Sequence, residues 1–276
     1  MSGPATASNR AADREVLLVK LGGSLITDKA TAETARPEVL ARLAGEIVRG
    51  APCAGSSLIV GHGSGSFGHV AAHRHGLAGG LRSRAQLAGV SDTQERAAAL
   101  HRLVTAALAA AGADPFSIAP SSCVVAAAGR PVDIGLEPLR LALGAGLLPV
   151  VYGDVVLDRE QGVAICSTEL LFDLLARRLA EEGVRVRRVL WLGATDGVLD
   201  GAGRTLSRLT AAALADARDA IGGAAGTDVT GGMRHRVETA LALARRGIPS
   251  LIANGTVPGL LERALRGEPV PGTEVA

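Results

Sequence analysis

The segment EVLLVKLGGSLITDK, residues 15–29, sets the pattern that the rest of the chain repeats. Its first seven residues are an almost continuous apolar run, which is typical of a parallel strand buried on both faces. The run leads directly into Gly22, Gly23 and Ser24, after which a helix is expected. A strand that passes through a glycine turn into a helix presents free backbone N–H groups, which favour an anion such as phosphate.

Lys20 and Lys29 flank this turn, and the chain contains no other lysine. The arginines elsewhere follow a composition rich in Ala, Arg and Gly. Lysine carries a compact charge on a flexible stem, which suits contact with a phosphoryl group that moves during a reaction. The alternative is that Lys20 simply ends a strand and Lys29 lies on the surface.

The bulk composition limits the classes of function. The 276 residues are 47% hydrophobic and 2% aromatic, with a net charge of +2, which suits one large α/β domain and gives no sign of a nucleic-acid or acidic-membrane partner. No apolar run reaches the roughly 18 residues of a membrane span, and the N-terminus lacks an apolar signal segment, so we expect a cytoplasmic protein. The three cysteines lack metal-ligand spacing and do not indicate a disulfide framework or a metal site.

Strands alternate with helices along the chain, which predicts an α/β fold with a mostly parallel sheet covered on both faces. Residues 1–14 are polar and are expected to form a disordered tail, followed by one domain over 15–276. The other expected elements are helices over 36–50, 91–112 with Ser91 as N-cap, 136–146, 167–183, 208–223, 232–247 and 257–267, strands over 15–21, 116–122, 147–154, 187–193, 248–255 and 272–275, and a hairpin over 154–166.

A second glycine-rich turn, GHGSGSFGH, spans residues 61–69 and follows a strand. It is not a Walker A loop, because no Gly-Lys-Ser/Thr follows. His69 falls in the first turn of the next helix, where an imidazole can donate a hydrogen bond to a substrate phosphate. Loop packing is the alternative for both histidines that flank the turn, His62 and His69.

Two further turns complete the set of chemistry-bearing segments. In GTDVTGGM, residues 226–233, Asp228 and Thr230 precede a pair of glycines at the start of a helix, an arrangement that suits nucleotide phosphates. In GATDGV, residues 193–198, Asp196 follows a strand end. A mobile surface loop and a simple Asp-Gly turn are the respective alternatives.

Taken in order, these segments resemble the amino acid kinase superfamily and, within it, the isopentenyl phosphate kinases. That family carries KLGGSxITDK, GxGSFGH, YGDVVxD and DVTGGM, followed by NG…PG…GE…GT. The corresponding segments here are KLGGSLITDK (20–29), GSGSFGH (63–69), YGDVVLD (152–158), DVTGGM (228–233) and NGTVPGLLERALRGEPVPGT (254–273).

The resemblance implies an ATP- and Mg²⁺-dependent kinase with a three-layer αβα sandwich, a small phosphorylated substrate and a homodimeric state. A lobe over about 15–185 would bind the phosphate acceptor, and a lobe over about 186–276 the nucleotide. The implied catalytic residues are Lys20, Lys29 and His69. The implied nucleotide-binding residues are Gly22, Gly23, Ser24, Asp196, Asp228, Thr230, Gly231, Gly232 and Arg236. The implied substrate-binding residues are Gly65, Ser66, Gly68, His69, Gly153, Asp154 and Glu169.

The sequence departs from the family pattern at three places. Arg236 stands where the family has a lysine, and Glu169 stands where it has an aspartate that orients the lysines. The family segment TDVDGVY reads GATDGVL here. The acceptor is therefore left open between isopentenyl phosphate and a small phosphonate or other monophosphate, as in fosfomycin resistance kinases, and a non-catalytic nucleotide-binding protein is the third alternative. The helix over 91–112 and the segment FSIAPSSCVV are expected to form the acceptor-pocket wall.

Overall fold

The computed structural model describes residues 15–28, 30–210 and 231–276. The strands are β1 (Glu15–Leu21), β2 (Ser57–His62), β3 (Pro115–Ser117), β4 (Val124–Ala127), β5 (Arg130–Ile134), β6 (Leu148–Tyr152), β7 (Asp154–Asp158), β8 (Gly162–Cys166), β9 (Arg185–Gly193), β10 (Arg208–Leu209), β11 (Ser250–Asn254) and β12 (Thr273–Val275). The α-helices are α1 (Gly23–Ile26), α2 (Pro37–Gly50), α3 (Gly65–Arg74), α4 (Leu87–Ala110), α5 (Pro120–Cys123), α6 (Glu137–Gly144), α7 (Thr168–Glu181), α8 (Gly231–Ala244) and α9 (Leu260–Leu265).

The main sheet has the strand order β10-β12-β11-β9-β1-β2-β6-β3. Strands β11, β9, β1, β2, β6 and β3 run parallel, whereas β12 pairs antiparallel with β11. The apolar run at the start of the sequence, β1, lies in the middle of this sheet. The predicted mostly parallel α/β fold is confirmed.

Alternate residues of β1 face two separate apolar cores. Val16 and Leu18 pack in the core formed with α7 and α8, whereas Leu17, Val19 and Leu21 pack in the core formed with α2, α4 and α9. The two-residue period of a strand places these side chains on opposite faces. The sheet is therefore the middle layer of a three-layer αβα sandwich, and the same period places Lys20 on the face covered by α7 and α8.

A second, smaller sheet has the order β5-β4-β7-β8. The predicted hairpin is confirmed as β7 and β8, which pair antiparallel from Asp154–Cys166 to Asp158–Gly162. The β4–β5 hairpin was not predicted from the sequence. Its turn uses Ala128 and Gly129, both at positive φ (49° and 78°), and alanine at such a position gives no turn signal in the sequence.

Three element predictions require correction. Helix α4 begins at Leu87, so Ser91 lies within it and is not its N-cap; a capping box formed by Ser83 and Gln86 starts the preceding 3-10 turn instead. The strand predicted over 116–122 is limited to β3, because Pro120 starts the short helix α5. Arg208 and Leu209 form β10 rather than a helix start.

Two predicted segments extend beyond the residues that the structure describes. The predicted tail over 1–14 and the part of the predicted helix over 211–223 stay predictions, whereas Thr210 is described and is not helical. Within residues 15–28, 30–210 and 231–276, no helix is long and apolar enough to cross a membrane.

Candidate active site

The glycine turns converge at the carboxyl edge of the main sheet. The register pairs Leu21 with both His62 and Leu192, and pairs His62 with Tyr152. The segments that follow β1, β2, β6 and β9 therefore leave the sheet side by side. Ligands of open parallel sheets bind at this edge.

The turns after β1 and β2 interlock at their glycines. A Cβ added to Gly23 would lie 2.6 Å from the backbone nitrogen of Gly65, and one added to Gly63 would lie 2.9 Å from the nitrogen of Gly23. Gly65 has a φ of +51°, and a Cβ there would lie 2.3 Å from Thr27 Oγ1. Side chains are excluded, so the two backbones form one closely packed surface.

Four backbone amides at this surface are free to bind an anion. Within the part of the chain that the structure describes, the N–H groups of Gly23, Ser24, Ser64 and Gly65 have no hydrogen-bond acceptor. The next amide, that of Ser66, donates to Thr27 Oγ1 at 3.1 Å. Free backbone N–H groups that converge from successive turns form an anion-binding nest. The predicted roles of Gly22, Gly23, Ser24 and Gly65 in holding phosphate are consistent with this geometry.

A charged cluster lies beneath the turns, on the α7 and α8 face of the sheet. Lys20 Nζ donates to Glu169 Oε1 at 2.6 Å, and both side chains are almost fully buried. Glu169 sits in the first turn of α7, which begins at the N-cap Ser167, whose hydroxyl accepts the amide of Leu170 at 3.3 Å. This direct contact therefore supports the expectation that Glu169 orients Lys20.

Arg236 completes the charged cluster from α8. It is only 6% exposed, and a Cβ added to Gly193 would lie 2.6 Å from its Nη1. A Cβ on Gly22 would lie 3.6 Å from its Nη2, so the guanidinium fills the space between the ends of β1 and β9. Its buried Nε has no hydrogen-bond partner among the described residues, so this cation has donor capacity left for a ligand.

Opposite charges counteract the effect of burial in this cluster. Burial alone would raise the pKa of Glu169, but Lys20 and Arg236 hold it at about 2. Burial lowers the pKa of Lys20, and Glu169 opposes that shift. Burial likewise lowers the pKa of Arg236, against the effect of Glu169. One carboxylate thus faces two cations, which leaves an excess positive charge at the phosphate-binding edge.

His69 lies at the exposed rim of the second turn. Its Nδ1 is 2.8 Å from Ser64 Oγ, and a Cβ on Gly68 would lie 2.7 Å from the Ser64 Cβ, so a glycine at 68 leaves room for this serine. Desolvation lowers the pKa of His69, Glu169 acts in the opposite direction, and Lys20 lowers the pKa further. His69 is thus within electrostatic reach of the charged cluster.

Other predicted substrate-side residues lie in the same region. A Cβ on Gly153 would lie 3.5 Å from the Ser64 nitrogen, so Gly153 packs against the second turn. Ser66 has a buried hydroxyl with no partner among the described residues. The Asp154 carboxylate accepts the amides of Ser121 and Val155 at 3.1 and 2.8 Å, a structural task that joins the small sheet to α5. Its role in substrate binding stays a prediction.

The nucleotide-side predictions are only partly within the described chain. Asp196 is exposed and accepts from Asn254 Nδ2 at 2.7 Å, which joins the segments after β9 and β11. Gly231 and Gly232 begin α8. Lys29, Asp228 and Thr230 lie outside the described residues, so their predicted roles are not tested by the structure.

A buried pair of histidines was not identified from the sequence as part of the site. His62 Nε2 lies 3.0 Å from His101 Nδ1, and Tyr152 stacks on His101 with ring centroids 4.3 Å apart. His101 is 39 residues from His62 and sits among the small apolar residues of α4. No sequence spacing joins them; the only signal was a histidine directly before the glycine turn.

Comparison with known proteins identifies the family of this chain. A model described as the amino acid kinase family matches residues 15–254. This chain belongs to the amino acid kinase family. The isopentenyl phosphate kinase of Methanothermobacter thermautotrophicus is 36% identical over 94% of this chain and 98% of its own length. That of Haloferax volcanii is 34% identical over 92% of this chain and 99% of its own length. The resemblance predicted from the sequence motifs is confirmed.

Solved structures of this family superpose on the chain. An isopentenyl phosphate kinase structure with 33% sequence identity has a TM-score of 0.78 and covers 94% of this chain and 99% of its own. A product complex of the Thermoplasma acidophilum isopentenyl phosphate kinase, 25% identical, has a TM-score of 0.73 and covers 95% of this chain. The whole described fold, rather than one motif, is shared with these family members.

Proposed function

We propose that this kinase transfers the γ-phosphoryl group of ATP to isopentenyl phosphate, forming isopentenyl diphosphate and ADP. The single observation that carries the site assignment is the convergence of four free amides with Lys20, Arg236 and His69 at one sheet edge. The kinase function expected from the sequence is supported by relatives of that name along nearly the whole chain.

The acceptor phosphate would bind at the second turn. The free amides of Ser64 and Gly65 can each donate to a phosphate oxygen, and His69 can donate from Nε2 while its Nδ1 contacts Ser64. Gly153 borders this surface, since a Cβ there would stand in ordinary van der Waals contact with the Ser64 nitrogen at 3.5 Å. The attacking atom is an oxygen of an already ionised phosphate, so no general base is required of the protein.

The transferring phosphoryl group would lie between the two turns. Phosphoryl transfer requires alignment of the attacking and leaving oxygens and positive charge around the equatorial oxygens. Lys20 supplies such a charge from the sheet face covered by α7 and α8, where its ammonium donates to Glu169 at 2.6 Å. Arg236 supplies a second cation from the nucleotide side, and Lys29 is proposed as a third. The charges are fixed before substrate arrives, so little reorganisation opposes the transition state.

ATP would occupy the nucleotide side, with the amides of Gly23 and Ser24 and the start of α8 toward its phosphates. The glycine surface fits this group, because it is a backbone cradle that a Cβ would fill. Mg²⁺ would arrive bound to the ATP phosphates, which supply the oxygen ligands it prefers and whose charge it neutralises. The described residues contain no cluster of three or more Asp, Glu, His or Cys side chains that would build a separate metal cage.

The domain is proposed to have two lobes and to form a dimer. We propose that the acceptor lobe spans about 15–185 and the nucleotide lobe about 186–276; Lys20 interacts electrostatically with His69 of the first and with Arg236 of the second. A cytoplasmic homodimer is proposed from the family resemblance. Sedimentation at micromolar concentration would measure its oligomeric state.

The function is tested by measuring ADP release with a panel of acceptors. Isopentenyl phosphate, dimethylallyl phosphate, fosfomycin, other small monophosphates and water are supplied in turn with Mg²⁺ and ATP. We expect rapid turnover of isopentenyl phosphate and slower turnover of dimethylallyl phosphate. Turnover confined to another acceptor would replace the proposed substrate, and ATP binding without any acceptor-dependent ADP would exclude a catalytic role.

A further inference from the structure

A chain of hydrogen bonds runs through the buried histidines on the α4 face of the sheet. It begins at the Gly63 carbonyl, which lies 3.1 Å from His62 Nδ1. It continues from His62 Nε2 to His101 Nδ1 at 3.0 Å and ends between His101 Nε2 and Ser117 Oγ at 2.9 Å. His62 is fully buried and His101 is 5% exposed, whereas Ser117 on the edge strand β3 is exposed.

The chemistry of the first acceptor fixes the protons in the whole chain. A carbonyl oxygen can only accept, so His62 Nδ1 carries a hydrogen. In a neutral ring His62 Nε2 is then an acceptor, and His101 Nδ1 must donate to it. His101 Nε2 accepts in turn from the Ser117 hydroxyl. Every bond points toward Gly63, and both rings have the same Nδ1–H tautomer.

The surroundings keep both rings neutral. Burial lowers the pKa of His62 to about 3, and neighbouring His101 and Lys20 act in the same direction. Burial, with a contribution from Arg102, lowers the pKa of His101 to about 4. Tyr152, stacked on both rings, has its pKa raised by burial and stays protonated. No acidic group among these neighbours stabilises a charged imidazole.

The chain is anchored at the turn that we assign to the acceptor phosphate. A peptide unit is planar and trans, so its C=O and N–H point in opposite directions. The Gly63 carbonyl held by His62 therefore directs the Ser64 N–H, a free amide of the proposed cradle, to the other side. The preceding peptide is fixed as well, since the His62 carbonyl accepts from Thr168 Oγ1 at 2.6 Å and from the Gly153 amide at 2.9 Å.

We propose that His62 and His101 are positioning residues that aim the Ser64 amide, and with it the turn Gly63–Gly65, at the acceptor phosphate. This assignment rests on the proposed function for the identity of the acceptor. A small rotation of the Gly63 peptide is consequential here, because Gly63 has less than a methyl group of space toward Gly23. Neither histidine touches a reacting atom; both act through the backbone of the turn.

The kinetic test removes and then restores the link between the rings. His101→Leu leaves His62 Nε2 without a donor, and we expect kcat/KM for isopentenyl phosphate to fall about tenfold while the KM for ATP changes less than about twofold. His101→Asn places an amide N–H near the position of Nδ1 and is expected to recover activity to within about threefold of the wild type. His73→Leu is the matched control: this histidine of α3 is exposed and lies outside the hydrogen-bond chain, so kinetics should change less than about twofold.

The second measurement is independent of turnover. Two-bond ¹H–¹⁵N spectra of the wild-type protein report the tautomer of each ring, and we expect Nδ1–H neutral forms for His62 and His101 throughout pH 5.5–8. If isopentenyl phosphate is not a substrate, the proposed function fails but this spectrum still decides the proton arrangement, and the kinetic test moves to the acceptor that is turned over. An Nε2–H or charged ring at either position, unchanged kinetics in His101→Leu, or equal losses for His101→Leu and His101→Asn would overturn the proposal.

Discussion

The same sheet edge carries two buried polar clusters that differ in charge: one is an ion-paired group and the other a pair of neutral histidines. On the α7 and α8 face, the Glu169 carboxylate bonds Lys20 directly and opposes the effect of burial on the pKa values of both Lys20 and Arg236. On the α4 face, no carboxylate of the described residues bonds His62 or His101, and their pKa values fall to about 3 and 4. Burial disfavours charge in both places, and the presence of a counter-ion decides the outcome.

The difference assigns a separate task to each face. A fixed, net positive cluster stabilises charge that develops during phosphoryl transfer. A neutral, directional chain of imidazoles can hold a backbone turn in place without adding charge to the site. We therefore propose that the two faces act differently at one sheet edge, and substitutions on them should have different kinetic and stability effects.

Loss of the buried lysine should have the largest effect. We expect Lys20→Met to lower kcat by about 10²–10³-fold, because one fixed charge near the transferring phosphoryl group is removed. The measurement is ADP release at saturating ATP and isopentenyl phosphate. Lys20→Arg keeps the charge but changes its geometry and should recover only part of the rate; full activity in Lys20→Met would remove Lys20 from the chemistry.

Loss of the counter-ion should be the next largest effect and should appear in stability. Glu169→Gln leaves Lys20 and Arg236 buried together without a carboxylate, which we expect to cost about 3 kcal/mol of unfolding free energy. Urea unfolding at pH 7 measures this change. Glu169→Asp keeps the charge and should lose less than half as much unfolding free energy. A larger loss in Glu169→Asp than in Glu169→Gln would show that side-chain length rather than charge sets the stability of this cluster.

As the pH falls, the buried histidines His62 and His101 should lower the stability of the protein before Glu169 does. The folded pKa values of His62 and His101 lie below the ordinary value of 6.5, so the unfolded chain takes up protons that the folded chain does not, and stability falls as pH drops below about 6.5. Between pH 7 and 5.5 the two rings should together cost about 2.5 kcal/mol of unfolding free energy. Glu169, with a folded pKa of about 2, contributes stability that is lost only below its unfolded value of about 4.3.

Unfolding of the wild type and His101→Asn at the two pH values isolates this contribution, since other titrating groups cancel in the difference. The variant should show about half of the histidine-dependent loss. Identical pH dependence in both proteins would mean that His101 is charged in the folded state or does not titrate differently from the unfolded chain.

Removal of the rim histidine should have the smallest effect of the series. His69→Ala loses one hydrogen bond to the acceptor phosphate, and we expect KM for isopentenyl phosphate to rise about tenfold with little change in the KM for ATP. Initial-rate measurements with each substrate varied in turn provide the test. An unchanged acceptor KM would place His69 outside the acceptor site.

The sequence predicted the charged face better than the uncharged one. Lys20 and the first glycine turn lie in one continuous segment, and the family motif indicated that Glu169 would meet the lysine. The contact between His62 and His101 arises only when α4 packs on the sheet, which no local pattern specifies. Similarly, the β4–β5 hairpin lacked a turn signal because Ala128 occupies a position of positive φ.

A crystal structure with isopentenyl phosphate and a non-hydrolysable ATP analogue tests the account most directly. We expect the acceptor phosphate within hydrogen-bond distance of the Ser64 and Gly65 amides and of His69 Nε2, with Lys20 Nζ between the acceptor phosphate and the γ-phosphate and still in contact with Glu169. An acceptor phosphate bound away from the Gly63–Gly65 turn, or a Lys20 directed away from both phosphates, would contradict the assignment of this sheet edge as the active site.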